Sequence, residues 1–92
     1  VRGLYVLAPT PVALNFTIEL TPATAAVKAS VESSLRDMIQ REAVPGGTIL
    51  ISHIREAIST AVGEMDHVLS APMANVIHDG GELAVMGEIT WS

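Results

Sequence analysis

Ninety-two residues, 49% of them hydrophobic and none of them cysteine, make one small domain that must be held together by apolar burial, without disulfides or thiolate-bound metal. Ten acidic against five basic residues leave a net charge of -5, and a surface of that sign repels phosphate, which argues against nucleic acid as a direct partner. No apolar run approaches the eighteen or so residues of a membrane-spanning helix, and a chain that begins at Val1, without initiator methionine or leader pattern, reads as a piece of a longer polypeptide.

Val1 to Ala8 holds a short apolar stretch, and Pro9-Thr10-Pro11 then favours an extended, semi-rigid segment. Residues 1–11 are accordingly expected to be a linker with the end of a preceding domain, and 12–92 the domain proper. From Val12 the pattern alternates strictly. Val12, Leu14, Phe16, Ile18 and Leu20 fall on one face and Ala13, Asn15, Thr17 and Glu19 on the other, which predicts a strand with one buried face.

Thr21-Pro22 offers a capping hydroxyl followed by a proline suited to a first helical position. Val27, Val31, Leu35, Met38 and Ile39 then recur at spacings of three and four, drawing one apolar stripe. Glu32 with Arg36 and Asp37 with Arg41 stand four apart in the favourable order. The predicted helix runs over 22–43, roughly 30 Å at 1.5 Å per residue. Pro45 cannot sit inside a continuing helix, and Gly46 or Gly47 can take the left-handed conformation that closes one.

Ile49 to Ile51 reads as a short extended segment, after which Ser52 can cap a second helix with the stripe Ile54, Ala57, Ile58, Ala61 and Val62, ended by Gly63. His67 to Ala71 reads as a short strand stopped by Pro72, Asp79-Gly80-Gly81 as a turn, and Glu82 to Trp91 as a strand with Leu83, Val85, Ile89 and Trp91 on one face. The order β-α-α-β-β predicts an α+β two-layer sandwich, two helices packed on one face of a small three-stranded sheet. A crossover through both helices into a parallel strand would be right-handed. The last strand, apolar on both faces through Ala84 and Met86, is expected in the middle.

The residues that could carry chemistry do not converge in sequence. His53, His67 and His78 lie fourteen and eleven apart, without the short spacing of a metal site. Glu64, Asp66 and His67 resemble an acid/base cluster but fit better as a polar corner. A triad built from Ser52 or Ser70, a histidine and Asp79 lacks a Gly-x-Ser-x-Gly elbow. Gly46-Gly47 and Gly80-Gly81 lack phosphate-loop spacing and read as turn glycines. Three aromatic residues are too few for a base-stacking platform, and Trp91 is a core residue first and an interface anchor second. No catalytic, cofactor-binding or metal residue is assigned.

Four segments carry a resemblance: Val-Leu-Ala-Pro-Thr-Pro-Val (6 to 12), Pro-Gly-Gly-Thr-Ile-Leu-Ile-Ser-His-Ile-Arg-Glu-Ala-Ile (45 to 58), His-Val-Leu-Ser-Ala-Pro (67 to 72) and Gly-Glu-Leu-Ala-Val-Met-Gly-Glu-Ile-Thr-Trp (81 to 91). Together they resemble the C-terminal part of baseplate J-like proteins, baseplate wedge components of Mu-like and other contractile-tailed phages. The resemblance implies a structural role in a phage or prophage tail baseplate, with other baseplate and tail subunits as partners and the virion as location, after assembly in the bacterial cytoplasm. It implies no catalytic residue and no cofactor. Neither nucleic acid nor membrane is an expected partner, and the isolated domain is expected to be monomeric or weakly self-associating. The alternative is a small ligand-binding or regulatory α+β module, with an enzyme third. The lack of polar residues gathered at one strand end favours the structural reading.

Overall fold

The alternation that starts at Val12 becomes the long strand β1, Thr10–Thr21, and the rest of the domain is arranged around it. The structure, a computed structural model, describes residues 10–64 and 66–91. The apolar stretch expected to end a preceding unit, residues 1–8, lies outside them. After β1 come α1 (Ala25–Glu42), β2 (Thr48–Ile49), α2 (Ile51–Ser59), β3 (Asp66–Ala71), β4 (Val76–Ile77) and β5 (Glu82–Trp91). This is the α+β arrangement expected, with the short β2 and β4 added as an antiparallel ribbon of their own.

The main sheet has the order β3-β1-β5, with β3 antiparallel and β5 parallel to β1. The central strand is therefore the first one and not the last, as the two-sided apolarity of β5 had suggested. β1 is the longer of the two, twelve residues against ten, and its Leu14, Phe16, Ile18 and Leu20 are all buried. Thr10 and Pro11 already pair with Glu82 and Leu83, so β1 starts two residues before Val12. From α2 the chain returns through β3, which runs antiparallel to β1, so the direct parallel crossover does not arise.

The misreading of β5 has a local cause. Leu14 pairs with Met86 and Phe16 with Ile89, so Asn15 alone faces the two residues Gly87 and Glu88. The extra residue is a β-bulge, and it exchanges the faces of the strand. Ala84 and Met86 face the core before it and Ile89 and Trp91 after it, while Leu83 and Val85 are on the other side. Asn15 Oδ1 accepts the Glu88 N–H at 2.9 Å. A Cβ on Gly87 would lie 2.7 Å from the Leu14 carbonyl oxygen, which explains the glycine.

The helical stripe of α1 is buried as spaced: Val27, Val31, Leu35, Met38 and Ile39. Its pairs Glu32–Arg36 (2.7 Å) and Asp37–Arg41 (3.2 Å) form on the wet side. The helix starts later than the Thr21-Pro22 signal, because Thr21 stays in the ladder opposite Asp66. Thr24 supplies the hydroxyl instead, accepting the Val27 N–H at 3.2 Å. Beyond Ala43, Pro45 and Gly46 form the centre of a turn closed by the Gly47 N–H on the Val44 carbonyl (2.9 Å), with Gly46 at φ 72 as a type II turn requires.

At α2 the cap is Leu50, not Ser52, and it makes no side-chain bond. The Ile51 N–H is instead accepted by Asn75 Oδ1, 2.9 Å away in the loop after β3. The helix also ends sooner than its stripe. Ile54, Ala57, Ile58 and Ala61 are buried, but the chain turns outward after Ser59 and leaves Val62 82% exposed. Together α1 and α2 close one face of the sheet around Phe16, Ile18, Leu35, Met38, Ile54 and Ile58.

Candidate functional site

Each histidine has a partner, and the partners are in three different places. His53 donates from Nδ1 to Glu42 Oε1 at 2.7 Å, tying the start of α2 to the end of α1. His67, at the start of β3, donates from Nδ1 to Glu64 Oε2 at 2.7 Å, and both side chains are largely buried. His78, just after β4, is buried and bonds through Nδ1 to the Gly47 carbonyl at 3.0 Å. A carbonyl only accepts, so Nδ1 carries a proton. Among the described residues no group of three His, Cys, Asp or Glu side chains stands close enough to hold a metal ion.

The Glu64, Asp66 and His67 cluster is brought together as the sequence placed it, at the bend between α2 and β3. Its bonds go inward. Asp66 Oδ1 accepts the His67 backbone N–H at 2.9 Å while Glu64 holds the ring through Nδ1, which fixes the corner. Ser52 lies in the first turn of α2, Ser70 on β3, and Asp79 in the turn before β5, so the paper triad is spread over three elements. The two glycine pairs meet each other instead of a phosphate. The Gly46 N–H donates to the Glu82 carbonyl at 2.8 Å, and a Cβ on Gly46 would meet Gly80 Cα at 3.4 Å.

The surface relief lies elsewhere. Two hollows, of about 390 and 430 Å³, run end to end along β5 and take in every residue from Leu83 to Trp91. The far wall is α1 with its C-cap Ala43, through Arg36, Ile39, Gln40 and Ala43 beside the first hollow and Glu32 beside the second. The first is apolar in character and the second polar, with Glu88 and Thr90 outward and Trp91 half-buried. Lys28 Nζ lies 5.7 Å from the centre of the Trp91 ring, within cation–π range. A third hollow of about 370 Å³ between the helices is lined by Ser30, Ser33, Ser34, Asp37 and Thr60. The Ser34 hydroxyl there is already given to the Ala57 carbonyl at 2.7 Å. Sequence reasoning missed the trough along β5 because it placed that strand in the centre of the sheet, where it would have no open side.

Comparison with known proteins gives a consistent picture. The family described as Baseplate J-like protein C-terminal domain matches residues 14–92. The putative protein JayE of Escherichia coli (strain K12) is 40% identical over 89 residues, which are 97% of this chain and 34% of the relative. The Mu-like prophage FluMu protein gp47 of Haemophilus influenzae is 35% identical over 88 residues, 96% of this chain and 24% of the relative. Baseplate protein gp47 of Escherichia phage Mu is 29% identical over 86 residues, 94% of this chain and 24% of the relative. The chain thus spans about a third or less of the relatives' own length.

Proposed function

We propose that this chain, which belongs to the family of baseplate J-like protein C-terminal domains, is a structural module of a phage or prophage tail baseplate that acts through protein–protein contacts. The observation that carries this is the family match over residues 14–92, which takes in both helices and nearly all of the sheet. It is supported by a relative named as a baseplate protein and by polar groups that are spent on the fold's own turns and corners. In this reading the protein contacts other baseplate and tail subunits of the virion, is assembled in the bacterial cytoplasm, and performs no catalysis. The residues before β1 lead in from a preceding domain, and the domain alone is monomeric or weakly self-associating. Weak single contacts suit a ring of many copies, where each further contact forms at high effective concentration.

The test is assembly. The full-length protein with and without residues 12–92 would be co-expressed with the neighbouring baseplate subunits, and the particles purified. Wedges are expected only with the intact protein. Equal assembly by the truncated protein would end the structural reading.

A further inference from the structure

We propose that the open edge of β5 is a strand-addition site, which takes an extended segment of a different baseplate subunit into the trough between β5 and α1. The inference rests on the structural reading above. β5 has ten residues and, among the described residues, a single ladder neighbour, β1. Among the described residues, the one backbone bond it makes outside its strand pairing and its own turn is the Glu82 carbonyl accepting Gly46 N–H. A long row of peptide groups is therefore left for water or for another chain.

The two sheet edges are treated differently. β3 is six residues long, is interrupted at Ser70, which has no partner on β1, and stops at Pro72; these are features that discourage pairing. β5 carries neither proline nor lysine, and its own bulge lies near the middle of a longer strand. An added strand lies about 4.8 Å away in the hydrogen-bonding direction. The hollows of about 390 and 430 Å³ occupy that side of β5, with α1 as the outer wall. An edge strand beside a helix is the arrangement by which extended peptides are bound through their main chain, with side-chain pockets adding specificity.

The trough also states what it would accept. Ile39, Ala43 and Val85 make one end apolar, whereas Glu32 and Glu88 face the other, where Arg36 already neutralises Glu32. The fitting segment has an apolar residue beside Val85 and a lysine or arginine two residues further on beside Glu88, because the bulge sets these two on one face, as Ala13 and Asn15 of β1 show. A second copy fits poorly. Full antiparallel pairing of two β5 strands would set Val85 against Glu88 and bring both Gly87–Glu88 bulges together at the centre. Each copy also carries a charge of -5.

Amide hydrogen exchange tests this, measured on the full-length protein alone and within purified baseplates, for the wild type and for Glu88→Lys. β5 amides are expected to exchange about tenfold more slowly or better in the baseplate. Glu88→Lys should cut incorporation severalfold without changing the melting temperature, since Glu88 is exposed. Full occupancy of the baseplate with β5 exchanging as it does in the isolated protein would overturn the inference and leave the structural reading standing. Absence of the protein from the particles would defeat the structural reading itself. Protection of β5 in the isolated protein that rises with its concentration would identify the occupant as a second copy and overturn the choice of partner.

Discussion

The β1–α1 half and the half from β2 onward reach the same core by different means. β1 and α1 carry their instructions locally: a strict alternation, a stripe at spacings of three and four, and a cap, Thr24, three residues from the amide it accepts. The second half is held by bonds between residues far apart in sequence. Asn75 caps α2 from 24 residues away, His78 reaches 31 residues back to Gly47, and Glu88 N–H is received by Asn15, 73 residues earlier. The first half can be specified before the chain has collapsed. The second exists only once the first is in place, because its caps and corners are built from the tertiary structure.

The largest perturbation should erase the difference between the halves. Phe16 is 1% exposed at the centre of the shared core. Phe16→Asp forfeits about 3–5 kcal/mol of buried ring and places a charge among apolar side chains with no partner. A domain of this length has roughly 5–14 kcal/mol in all, so circular dichroism is expected to show no cooperative unfolding. A soluble variant melting near the wild type would mean that this face of β1 is not the core face.

Gly87→Val tests the joint between the halves, where β5 meets β1. The added carbons would drive into the Leu14 carbonyl, which is backbone and cannot swing away, so a loss of about 3 kcal/mol is expected in denaturant titration. Gly80→Ala, in a turn where a Cβ meets nothing within 4 Å, should stay within about 0.5 kcal/mol. Equal effects at the two glycines would show that the bulge is not closely packed.

Thr24→Ala and Asn75→Ala remove one cap from each half, and each is expected to cost about 1 kcal/mol. Their reach should differ. Asn75→Ala should speed amide exchange in the first turn of α2 and in the β2–β4 ribbon while α1 is unchanged. Uniform acceleration across the chain would show one cooperative unit and dissolve the distinction. The smallest effect belongs to Arg36→Ala, which breaks an exposed i,i+4 pair with Glu32 and should cost about 0.5 kcal/mol or less, falling further in salt.

The same contrast decides how much could be read in advance. The buried positions of β1 and α1 follow from period alone, and so do the turn at Pro45-Gly46 and the stop at Pro72. What periodicity cannot carry is a partner chosen by the fold. Ser52 looked like the cap of α2 because a hydroxyl stands there, but Asn75 arrives through the β3–β4 loop and satisfies the free N–H one residue earlier. Thr21 looked like the cap of α1, but its place opposite Asp66 holds it in the sheet. The trough along β5 depends on which strand is central, and that choice turns on a bulge opposite Asn15 that no short window of sequence displays.

Gly87 is also, in a sense, supernumerary. Met86 and Ile89 both face the core, and the interval between them holds two residues where a regular strand has one. Substitution at Gly87 collides with Leu14, but excision does not scramble the phase of the strand. With that residue gone, Glu88 would take the outward position opposite Asn15, and Ile89 and Trp91 would keep their inward orientation. This strand can therefore lose a residue here at less cost than it can enlarge one, and a chain one residue shorter at this point would have a straighter, more regular β5 over the same core.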